Sequence, residues 1–129
     1  MIGEKTVAYQ GKGTNLDDLA QKISGYLQGE GFKVQSSPSS PEGNVIQARK
    51  GGFLDELIAA DRALSIVISG SPDEFTVRVG IGKWIDHLAT ALIETLLLSD
   101  LFLVVDVAEM AWSLEIEKRL IGQIDTFVG

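Results

Sequence analysis

The chain has 129 residues, 45% hydrophobic and 22% charged, a composition that excludes wholesale disorder and fits one globular domain, 1–129, with a single core. With no cysteine and one histidine, it excludes disulfides, thiolate nucleophiles, cysteine metal sites and any multi-histidine metal centre. A formal charge of −7, with 11 basic residues in no run longer than Arg49-Lys50, weighs against nucleic acid, whose phosphates are bound mainly through Lys and Arg.

The opening Met1-Ile2-Gly3-Glu4-Lys5-Thr6 has neither the apolar run nor the cleavage site of a signal peptide. Together with the missing cysteines this favours a cytoplasmic location. Thr6 to Gln10 alternates as a strand, and Gly11-Lys12-Gly13 breaks it. Leu16, Leu19, Ala20, Ile23, Tyr26 and Leu27 then line one face of a 3.6-residue period, which predicts a helix. Asn15 is its N-cap, Asp17 and Asp18 suit the positive end of its dipole, and Gly29 or Gly31 ends it in the left-handed conformation.

Phe32 to Gln35 resumes alternation, the Ser/Pro-rich stretch 36–41 reads as an exposed turn, and Asn44 to Lys50 is the returning strand. Gly51-Gly52 ends it, and 53–62 reads as a loop or one helical turn. In the strand Ala63–Gly70, Leu64, Ile66 and Ile68 share a face. After the turn Ser71-Pro72-Asp73-Glu74, Phe75, Val77, Val79 and Ile81 alternate with Thr76, Arg78, Gly80 and Gly82, predicting one buried and one wet face. From Lys83 the period becomes helical, with Trp84, Ile85, Leu88, Ala91, Leu92, Thr95 and Leu96 in one stripe. A last helix spans about Val107 to Val128, with Met110, Leu114, Ile121, Ile124 and Val128 inward.

The expected fold is α+β: an antiparallel sheet of about five strands, in β-α-β-β-β-β-α order, with its helices on one face. This order, over about residues 5 to 98, resembles the TATA-binding-protein-like fold and more loosely the helix-grip fold of small ligand-binding proteins. The resemblance is one of topology, and fold does not deliver function.

Gly11-Lys12-Gly13-Thr14 fails the phosphate-loop pattern, since Lys12 is followed by glycine, and reads as a strand-to-helix turn. Gly80-Ile81-Gly82-Lys83-Trp84 is the most distinctive local string. As a ligand site, Gly80 and Gly82 admit a ligand to the backbone, Lys83 meets an anion, and Trp84 offers a stacking face, with His87 nearby. As structure, the glycines bend a strand end or admit a close helix, and Trp84 is core. His87, with Asp86 beside it, lacks a visible partner set for acid–base work. The pairs Asp17-Asp18, Asp55-Glu56 and Asp73-Glu74 diverge in direction and do not converge as catalytic carboxylates or an oxygen cage must. The sequence therefore offers no catalytic, metal or cofactor constellation.

The stretch 88–107 is the compositional anomaly, apolar except for a few polar residues and three acids, Glu94, Asp100 and Asp106. Each acid at a bilayer centre would cost about 2.5–3.5 kcal/mol, so a transmembrane span is not expected. An anionic membrane surface would repel so acidic a chain. A helix apolar on nearly all sides needs cover on more than one. The leading expectation is a non-enzymatic protein-interaction or regulatory/accessory domain, meeting a protein partner or a second copy through 88–107. The alternative is a small apolar ligand held between sheet and C-terminal helix, in a cavity lined by Phe75, Val77, Val79, Trp84 and Met110.

Overall fold

The fold grows from a run of alternating strands that pair edge to edge and bury one common face under two helices. A computed structural model describes residues 5–37, 43–49, 62–85, 88 and 107–129, with only the backbone course of 62 and 107–115. The elements are β1 (Lys5–Gln10), α1 (Leu16–Gly29), β2 (Lys33–Ser36), β3 (Asn44–Arg49), β4 (Arg62–Ser71), β5 (Glu74–Lys83) and α2 (Val107–Val128). Among the described residues the five strands form one antiparallel sheet in the order β1-β5-β4-β3-β2. The expected α+β class and β-α-β-β-β-β-α order are present.

Register explains the core. Val77 is opposite Val7 on one side and Ile68 on the other, while Ile66 is opposite Val79 and Ile46. Alternation therefore sends Val7, Tyr9, Phe75, Val77, Val79, Ile81, Leu64, Ile66, Ile68, Ile46 and Ala48 to the same face. On that face they pack with Leu19, Ile23 and Leu27 of α1 and with Leu120 and Ile124 of α2. The buried stripe of α2 includes Glu117, Leu120 and Ile124, while Ile121 is only partly covered. Of the residues expected inward, Ile124 is buried and Ile121 and Val128 pack against the core at its margin. The side chains of Met110 and Leu114 lie outside the described residues.

The ends of α1 obey local chemistry. The Asn15 side chain accepts the Asp18 N–H at 3.1 Å. At the other end Phe32 N donates to Leu27 O and Gly31 N to Gln28 O, both at 3.0 Å, closing the last turn. This closure places Gly31 at φ +93° and drops Phe32 into the core beside Leu27. Of the two glycines expected to end the helix, Gly31 takes the left-handed turn and Gly29 stays helical.

Two expectations change. The second face of the sheet is not wet along its length, because Val45, Gln47, Ala63, Ser65, Val67, Gly80 and Gly82 are buried. Nor does a helix begin at Lys83: Trp84 and Ile85 are irregular chain. The second change has a local cause, since the Lys83 carbonyl and the Ile85 amide bond to the side chain of Gln47 instead of to helical partners. The chain leaving β5 is thereby held back across the second face. The loop 53–61, the turn residues 38–41 and the stretch 89–106 lie outside the described residues.

Candidate functional site

Gln47 lies in the middle of β3, where the pattern Val45-Gln47-Arg49 points away from the helices. It is fully buried, so every polar atom it carries needs a partner. Its Nε2 donates to Lys83 O at 2.7 Å and to Ser65 Oγ at 3.1 Å. Its Oε1 accepts from Ile85 N at 2.8 Å and from Gln35 Nε2 at 3.0 Å. Gln35 Nε2 also donates to Ile85 O at 2.7 Å, and Ser65 Oγ donates to Ala63 O at 3.2 Å. Both amide protons and both lone pairs of Gln47 are in use. A network of amides and a hydroxyl has no group that ionises near neutral pH, so it fixes geometry and moves no protons.

The Gly80–Trp84 string is built around this clamp. Gly80 and Gly82 are buried on the clamped face, Gly80 directly opposite Ser65 and Gly82 opposite Ala63. Lys83 is exposed and gives its carbonyl to Gln47. Trp84 is half-buried, with the Arg49 guanidinium 4.1 Å from its ring centroid, a cation–π contact. The structure therefore brings Gly80, Gly82, Lys83 and Trp84 together around Gln47 and Arg49. His87 lies outside the described residues. Leu88, three residues past the clamp, is fully buried.

Of the cavity side chains named above, Phe75, Val77 and Val79 are buried in the helix-side core. Trp84 instead meets Arg49, which alternation assigns to the other face. The glycines at the other end of the sheet have a structural account. Gly11 N donates to Asp73 O at 2.7 Å and Thr14 N to Pro72 O at 3.0 Å, which docks the β4–β5 turn onto the β1–α1 loop. Those amides are engaged there and form no phosphate cradle.

Two tyrosines have perturbed acidity, both on the helix side of the molecule. Burial pushes the Tyr9 phenol well above its usual value, and its 2.5 Å hydrogen bond to Asp125 Oδ1 and that carboxylate's charge push it further. Tyr9 also stacks on Phe75, with ring centroids 5.1 Å apart. The Tyr26 phenol is raised too, by burial first and then by Glu30, against a smaller opposing pull from Arg119. In both, the neutral hydroxyl is the form the fold holds. Among the described residues no group of three or more His, Asp or Glu side chains is placed to hold a metal ion. No described helix is long and apolar enough to cross a membrane.

Sequence reasoning passed over Gln47, Gln35, Ser65 and Arg49. The available signal was Gln47 itself, a polar residue inside the apolar strand Asn44–Arg49, which marks a face that must be covered and satisfied. No protein-family model, curated protein or solved structure matches the chain.

Proposed function

We propose that this chain is a non-enzymatic interaction or regulatory domain that associates, as a homodimer or with a protein partner, through the apolar stretch 88–107. The observation that carries this reading is the apolar stretch itself, beside a sheet whose helix-side face α1 and α2 already fill. Side chains of α1 and α2 fill the helix-side face. The middle of the other face is closed around Gln47, with Leu88 already fully buried. Apolar surface without internal cover is removed from water by association.

The polar chemistry of the candidate site fits the same reading. The clamp's hydrogen bonds are satisfied internally, which suits a rigid scaffold. Hydrogen exchange at two protein concentrations tests the reading. Amides within 88–107 are expected to gain protection as concentration rises, while those of β3 and β4 stay constant. Protection in 88–107 that ignores concentration would count against self-association. If an added partner also left it unchanged, the proposal would fall and the apolar-ligand alternative would be next to test.

A further inference from the structure

Gln47 holds the chain around Trp84 in the way a neighbouring strand would. Its carboxamide donates to Lys83 O at 2.7 Å and accepts from Ile85 N at 2.8 Å. These main-chain groups, one on either side of a single residue, are the pair that a peptide of a parallel strand engages. Gln35 completes the hold from β2, its Nε2 bridging Ile85 O at 2.7 Å and Gln47 Oε1 at 3.0 Å. Both main-chain groups of Ile85 are therefore bonded to glutamine side chains of the paired strands β2 and β3. Arg49, at the end of β3, adds its contact with the Trp84 ring.

The arrangement resists partial opening. Gln47 Oε1 is shared between Ile85 N and Gln35 Nε2, and Gln47 is fully buried. If Lys83–Ile85 left alone, both ends of the Gln47 carboxamide would lose a partner, and Gln35 would lose the Ile85 carbonyl. If Gln35 left alone, the Ile85 carbonyl and one lone pair of Gln47 would be stranded. Buried polar groups without partners are costly, and a half-satisfied network is worse than a complete one. An element as short as β2, four residues, opens at little cost compared with the long central strands.

We propose that the glutamine clamp is a latch: β2 and the segment Lys83–Ile85 open and close as one unit, while the central strands stay closed. Coupling of this kind is reciprocal. An event that holds or frees the chain after β5 shifts β2, and an event at β2 shifts the chain after β5 by the same free energy. The latch goes beyond the reading of 88–107, and a failure of that reading would leave it intact.

Amide hydrogen exchange on the whole chain, read residue by residue by NMR, tests the latch from both sides. Gln35→Met keeps the length of the side chain and removes both donors. The Ile85 amide, which Gln35 does not itself bond, is then expected to exchange about fivefold faster. Trp84→Leu keeps an apolar side chain and removes the contact with Arg49, loosening the segment at its other attachment. The amides of Lys33–Ser36 are expected to exchange faster by a similar factor. Ile66 and Val79, buried in the central strands, are the reference and keep their wild-type protection in both variants. An Ile85 amide that ignores Gln35→Met, or β2 amides that ignore Trp84→Leu, would overturn the proposal. Acceleration spread equally to Ile66 and Val79 would mean a uniformly looser fold and would overturn it as well.

Discussion

Gln47 joins three strands and the chain that leaves β5, and it does so with uncharged groups in a buried place. Removing one partner from such a network costs more than a typical hydrogen bond, because the groups left behind lose both their partner and water. Gln47→Leu is expected to lower stability by about 2–3 kcal/mol in urea titration. Gln35→Ala, at a half-buried edge position, should cost only about 1 kcal/mol. A loss below about 0.5 kcal/mol for Gln47→Leu would show that the clamp does not hold the segment after β5.

Tyr9 gives a second residue-scale test. Its folded pKa is raised above the ordinary phenol value, so above about pH 10 the unfolded chain releases a proton that the folded chain keeps. The unfolded state then binds fewer protons, and stability falls as pH rises through that range. The contribution is fully present below it. Tyr9→Phe is expected to cost about 1–2 kcal/mol near neutral pH, through the lost bond to Asp125, and to flatten the alkaline decline. Tyr26, raised in the same direction, leaves part of the decline in place. An unchanged alkaline slope in Tyr9→Phe would contradict this assignment.

At the scale of elements, glycines separate into those the backbone requires and those it does not. Gly70 has φ +122°, and a Cβ there would meet Glu74 O at 2.4 Å and Phe75 Cα at 2.7 Å. Both are main-chain atoms that cannot swing aside, so Gly70→Ala should destabilise by about 2–3 kcal/mol. Gly25, in the middle of α1, has open space where its Cβ would be. Gly25→Ala should therefore stabilise the fold by about 0.5–1 kcal/mol, read from the thermal or urea midpoint.

These elements were legible in the sequence to different degrees, for physical reasons. The helix at Leu16 carries a full apolar stripe, an Asn cap and a closing glycine, and it occurs as Leu16–Gly29. The alternation of Phe75, Val77, Val79 and Ile81 located β5 and its inner face, because one side of a pleated strand is read directly from every second residue. The same alternation misread the outer face, since Gly80 and Gly82 carry no side chain to announce burial. Trp84 and Ile85 continue an apolar period into the following residues, but a side chain distant in sequence, Gln47, takes the Lys83 carbonyl and the Ile85 amide on either side of Trp84. Of the candidate site, Gly80, Gly82, Lys83 and Trp84 were visible as a string. Gln47 and Arg49 were not, because only strand register brings them to it.

At the scale of the whole molecule, the sheet is covered on its helix side by α1 and α2 and closed at the middle of its other face around Gln47, and the proposed interface is the apolar run 88–107. The measurement that tests this most directly is light scattering coupled to size exclusion over a dilution series of the chain. Self-association through 88–107 predicts a mass of about twice the chain's 13.9 kDa, holding constant through the low micromolar range and insensitive to salt, as an apolar interface should be. A strictly monomeric particle up to high micromolar concentration would contradict self-association through 88–107. If it also exposed no apolar patch to a hydrophobic dye, it would place those residues inside the domain and remove the basis of the interaction reading.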